Sequence, residues 1–62
     1  MEKAVKFAKE IIRKREAYYK TKSPKLKRDY GKSIDRDMAD LIYYAQQNHL
    51  DMQEIWNRAF DK

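Results

Sequence analysis

The sequence predicts an all-α fold: one small domain, residues 1–62, built from three helices over 2–20, 24–48 and 51–60. Three observations carry this. One glycine and one proline in 62 residues leave almost no turn chemistry for a multi-stranded β fold. Apolar residues recur at i, i+3, i+4, i+7 through most of the chain, the period of a helix with one buried face. The two places where that period is interrupted both carry helix-start signals.

The first helix spans Glu2 to Lys20. Ala4, Phe7, Ala8, Ile11 and Tyr18 fall on one stripe, with Val5, Ile12 and Tyr19 on its shoulder. Arg15 lies inside the stripe, where its aliphatic stem can cover the core edge while the guanidinium reaches water. Lys6, Lys9, Arg13 and Lys20 take the opposite face.

Thr21-Lys22-Ser23-Pro24 ends that helix and starts the next. Ser23 is a good N-cap, and Pro24 fits the first helical position, where its missing N–H costs nothing. The residue before proline also avoids helical geometry. Beyond it, Leu26, Tyr30, Ile34, Met38, Leu41 and Ala45 keep one phase, with Ile42 beside them. That favours one helix over 24–48, with Gly31 as the place where it would bend, at a cost of ~1 kcal/mol. The alternative breaks the helix at Gly31 and restarts at Ser33 or Asp35.

Asp51 and Glu54 match an N-cap and N3 pair, and Leu50 with Ile55 match a hydrophobic staple around it. Met52, Ile55, Trp56, Ala59 and Phe60 give the third helix its apolar face. The short Asn48-His49 turn predicts that helices two and three form an antiparallel or steeply crossed pair. The first helix then packs across both and buries Phe7 and Ile11. His49, at a helix end, is expected to cap free carbonyls with its ring.

Composition narrows the function classes. Chains this short bury only ~60% of the surface their unfolded form exposes, and domains without staples often gain burial by association. With no cysteine there is no disulfide framework and no thiolate metal site. No apolar run approaches the ~20 residues needed to cross a bilayer. Residues 1–6 carry no signal-peptide h-region, so a cytoplasmic location is expected. One histidine, no cysteine, few hydroxyls and no glycine-rich phosphate loop leave no catalytic constellation. The expectation is a non-enzyme with no cofactor, no metal and no small-molecule substrate.

Asp37-Met38-Ala39-Asp40-Leu41-Ile42-Tyr43, followed by Leu50-Asp51, resembles the second half of an all-α nucleotide pyrophosphohydrolase of the MazG-like group. That resemblance implies a magnesium site in which an E-x-x-D pair faces an E-x-x-E pair from an earlier helix. The chain departs from the pattern. Glu10 and Glu16 are six apart and point to different faces, and the stretch from Asp40 to Asp51 is about one helical turn short. Helix-face carboxylates paired with Arg36 or nearby lysines are the simpler expectation.

A helix-turn-helix is excluded on charge. The spacing Ala45, His49, Ile55 echoes that motif, but the would-be recognition helix carries Asp51, Glu54 and Asp61 against Arg58 alone. A helix entering the major groove needs donors for phosphates and base edges.

Charge is unevenly distributed. Residues 1–32 hold twelve Lys/Arg against four Asp/Glu, and residues 33–62 hold three against six. Such asymmetry points to an electrostatic partner. Between residues 13 and 32 the basic residues are interleaved with Tyr18, Tyr19 and Tyr30. Arg13, Lys14, Lys20, Lys22, Lys25, Lys27 and Arg28 are the expected contacts, with nucleic-acid backbone as the anionic partner and no base-sequence reading. The rival is a protein-interaction module that engages an acidic protein or a second copy of the chain. Its patch would be Tyr43, Tyr44 and Trp56, since aromatic residues dominate binding hot spots. No membrane partner is expected.

Overall fold

A computed structural model describes residues 1–61 and contains three helices: α1 (Glu2–Lys20), α2 (Pro24–Gln47) and α3 (Met52–Phe60). The all-α class and all three elements agree with the sequence reading. The helix-start chemistry forms as expected at Ser23, whose hydroxyl accepts from the Leu26 N–H at 3.3 Å. Pro24 occupies the first turn of α2, and the helix runs through Gly31 without a break.

α1 and α2 form an antiparallel hairpin. Tyr18 lies against Gly31, Lys14 reaches Ser33 and Asp37, and Phe7 shares a groove with Leu41 and Tyr44. α1 is the element on which both others pack, and α2 and α3 scarcely meet. This corrects the expected pairing of helices two and three. The reason lies in side-chain size: Ala4 and Ala8 are fully buried and admit Ile55 and Ala59 close to the α1 backbone. The core is completed by Ile11, Leu41 and Ala45.

Helix lengths set the overall shape. At 1.5 Å per residue, α3 covers about 14 Å, against about 28 Å for α1 and about 36 Å for α2. Arg58 of α3 lines a surface hollow with Glu2, Val5, Lys6 and Lys9, which places α3 over the amino-terminal half of α1. The far half of the hairpin, around residues 21–23, therefore projects beyond the three-helix core. The extents are 38 × 25 × 15 Å and the radius of gyration is 12.4 Å; a compact chain of this length would give about 11 Å.

Five positions expected on or beside the apolar faces are exposed, two of them, Tyr19 and Phe60, at the carboxyl ends of α1 and α3. Leu26 is 47% exposed because it lies on the projecting end, where no third helix covers it. Ile42 is exposed because α3 packs on α1 rather than on α2. Phe7 is 36% exposed, on the side of α1 turned away from α3.

The α2–α3 turn is a Schellman motif. The Leu50 N–H donates to Ala45 C=O at 2.8 Å and the His49 N–H to Gln46 C=O at 3.3 Å. His49 occupies the left-handed region, with φ 55°. Among the described residues the His49 ring caps no carbonyl; instead the Asn48 side-chain amide donates to Tyr44 C=O at 2.9 Å. At the start of α3, Asp51 accepts from the Gln53 N–H at 2.9 Å, while Glu54 binds Arg58 at 2.8 Å. Asp51 thus caps the helix through the N2 N–H, and the reciprocal N3 contacts of the expected capping box are not formed among the described residues. The staple partners Leu50 and Ile55 both belong to the core region.

Candidate nucleic-acid interface and a second, apolar surface

Lys20 closes α1, Lys22 lies in the turn, and Lys25, Lys27 and Arg28 occupy the first turns of α2. All five are exposed, and the hairpin brings them together at one end of the molecule. Between residues 13 and 32 there are nine Lys/Arg and two Asp/Glu, a local net of +7 within a chain of net +5. The remainder of the chain therefore carries a net of −2.

This placement works against helix energetics. The amino end of a helix carries partial positive charge and favours acidic residues by about 0.3–1 kcal/mol each. The first turn of α2 contains no acid, while Lys25 and Lys27 lie within it. The tip thus combines a positive dipole end with side-chain cations of the same sign. A bound anion relieves both.

The remaining basic residues are placed differently. Arg13 is exposed but pairs with Glu10 at 3.1 Å. Lys14 is turned inward: its Nζ donates to Asp37 Oδ2 and, at 2.8 Å, to Ser33 Oγ. It bridges the hairpin and is less available to a partner. Asp37 is consequently paired across helices rather than with Arg36. Lys27 Nζ rests 5.5 Å above the Tyr18 ring, and the Arg15 guanidinium lies 5.7 Å from the Tyr19 centroid. These contacts hold two cations at the tip without neutralising them. Tyr18 and Tyr30 are half-buried, so the aromatic face open to a partner is that of Tyr19, 67% exposed.

The expected aromatic patch separates into two places. Tyr43 and Tyr44 line an apolar groove of about 370 Å³ together with Lys3, Phe7, Asp40, Leu41 and Gln47. Trp56 is not among the groove residues; it packs against the core, with its ring 6.2 Å from that of Phe60. Phe7 is the groove member that sequence periodicity missed, because its stripe position reads as core. Among the described residues, no group of three or more His, Cys, Asp or Glu side chains converges in metal-binding geometry, and Asp40 lies at the groove rim.

The chain is thus a small three-helix domain with a polarised charge distribution and, among the described residues, no helix long and apolar enough to cross a membrane. Comparison with family models, with curated proteins and with solved structures returned no match.

Proposed function

We propose that this protein is a non-catalytic binding module whose hairpin tip docks on nucleic-acid backbone without reading base sequence. The observation that supports this is the gathering of Lys20, Lys22, Lys25, Lys27 and Arg28 on one projecting end, away from Glu54 of α3 and its capping residues Asp51 and Asp61. Four of the five are lysines. Lysine is a compact, mobile point charge suited to tracking phosphates, and it is depleted at protein–protein interfaces, where arginine is enriched. That composition favours nucleic acid over an acidic protein. With Tyr19 as the one open ring among the three tip tyrosines, charge rather than base stacking supplies most of the affinity, so duplex binds at least as well as single strand. On this reading the protein works in the cytoplasm.

Fluorescence anisotropy with labelled single- and double-stranded oligonucleotides at ~50 mM salt tests this, since backbone contacts are strongest at low ionic strength. Wild type is expected to bind both. The variant with Lys22, Lys25 and Arg28 changed to alanine should lose most of the affinity, while Lys6 and Lys9 changed to alanine should leave it nearly unchanged. Absence of binding by the wild type, or equal losses in both variants, would overturn the proposal.

A further inference from the structure

We infer that the groove between the amino end of α1 and the carboxyl end of α2 is the self-association surface of this protein, and that its occupant is the same groove of a second copy. The inference is independent of the nucleic-acid reading, because the groove lies at the opposite end of the hairpin from the basic tip.

The groove is lined by apolar surface, chiefly Phe7, Leu41, Tyr43 and Tyr44. Tyr43 is 65% exposed and Phe7 36%, so two aromatic rings face water beside a cavity of about 370 Å³, ample for a ring. The core explains why such a surface persists. Among the described residues seven hydrophobic residues are buried, four of them alanines, and Leu41 and Ile55 are the largest fully buried side chains. A chain with so little interior gains from burying more apolar surface by association.

Charge identifies the occupant. The groove has two charged lining residues, Lys3 on α1 and Asp40 on α2. Neither has an ion-pair partner among the described residues, where the pairs are Glu10–Arg13, Lys14–Asp37 and Glu54–Arg58. A strongly acidic partner is drawn to the +7 tip rather than to this balanced rim, and a basic one is opposed by the net charge of the chain. A second copy fits directly. Two-fold symmetry requires a self-complementary patch in which residue i meets j and j meets i. One cation on one helix and one anion on the other satisfy that requirement. Rotation about an axis through the groove sets Lys3 against Asp40 of the second copy and Asp40 against its Lys3, with the four tyrosines and two Phe7 rings between them. The tips remain outside the interface.

The patch is small. Interfaces below about 1,200 Å² belong to transient complexes, so the dimer forms and dissociates with concentration rather than being obligate.

Sedimentation equilibrium from micromolar to millimolar protein tests the inference, with circular dichroism to confirm that each variant is folded. Wild type is expected to shift from monomer to dimer across that range. Lys3→Glu alone and Asp40→Lys alone each place like charges at both contacts, so each should remain monomeric at concentrations where wild type is dimeric. An equimolar mixture of the two variants restores both opposite-charge contacts, and it should associate as a heterodimer. Wild type that stays monomeric at millimolar concentration overturns the inference. So do single variants that dimerise like wild type, or a mixture that fails to associate.

Discussion

Replacing Gly31 by alanine probes the least settled element of the sequence, the middle of α2. The helix runs unbroken through this position, and Gly31 does not have a positive φ. A Cβ built there meets Tyr18 Cε2 at 3.7 Å, an ordinary van der Waals contact. No steric cost therefore offsets the gain in helix propensity, which is about 0.8–1.0 kcal/mol for glycine to alanine in a helix interior. For a domain near this size, 1 kcal/mol corresponds to roughly 4–8 °C in Tm. Gly31→Ala should raise Tm by about that much and raise the urea midpoint with an unchanged slope. Thermal and urea unfolding followed by far-ultraviolet circular dichroism measure both. A lower Tm, or reduced helical signal, would mean that the chain needs glycine at residue 31 to end one helix and start another. The continuous α2, and with it the projecting tip, would then be wrong.

Three further outcomes follow from the packing. His49→Gly should stabilise by about 0.5–1 kcal/mol: it relieves a left-handed residue costing roughly 1–2 kcal/mol, less the greater chain entropy of glycine. A fall in Tm would show that the His49 ring makes a contact worth more than the strain. Ile55→Ala removes a fully buried side chain at about 2–5 kcal/mol, a large share of the ~3–9 kcal/mol total expected for a domain this small, so a strongly lowered Tm should be seen by circular dichroism. Native-like unfolding curves would remove α3 from the core. Asp37→Ala should cost about 1–2 kcal/mol, because it strands the half-buried Lys14, whereas Glu10→Ala should stay within about 0.5 kcal/mol, since its pair with Arg13 is solvent-exposed. Equal costs in urea titrations would show that Lys14 does not staple the hairpin.

The elements of this fold were legible because each boundary has a local chemical cause. Ser23-Pro24 and Asp51 cap helices from their own neighbourhoods, and the 3.6-residue period needs no tertiary information. What could not be read was which helix faces which. A short turn suggested that α2 and α3 pair, but the choice is made by Ala4 and Ala8, whose small side chains let α3 settle on α1. That one choice leaves Phe7 and Ile42 exposed and opens the groove. Lys14 shows the same limit at the candidate site. In sequence it is one more cation in a basic run, and only the hairpin register sets it against Ser33 and Asp37. The tip cations were legible as a cluster because they flank a single turn.

The most direct test of the proposed nucleic-acid contact is the salt dependence of binding. Counterion release gives log K against log salt a slope of about −0.7 per phosphate contacted on single strands and −0.9 on duplex, so five cations correspond to roughly −3.5 and −4.5. Changing Lys25 and Arg28 to alanine should flatten each slope by about two contacts' worth. A slope near zero, or one that the double substitution leaves unchanged, would contradict docking of the tip on phosphate.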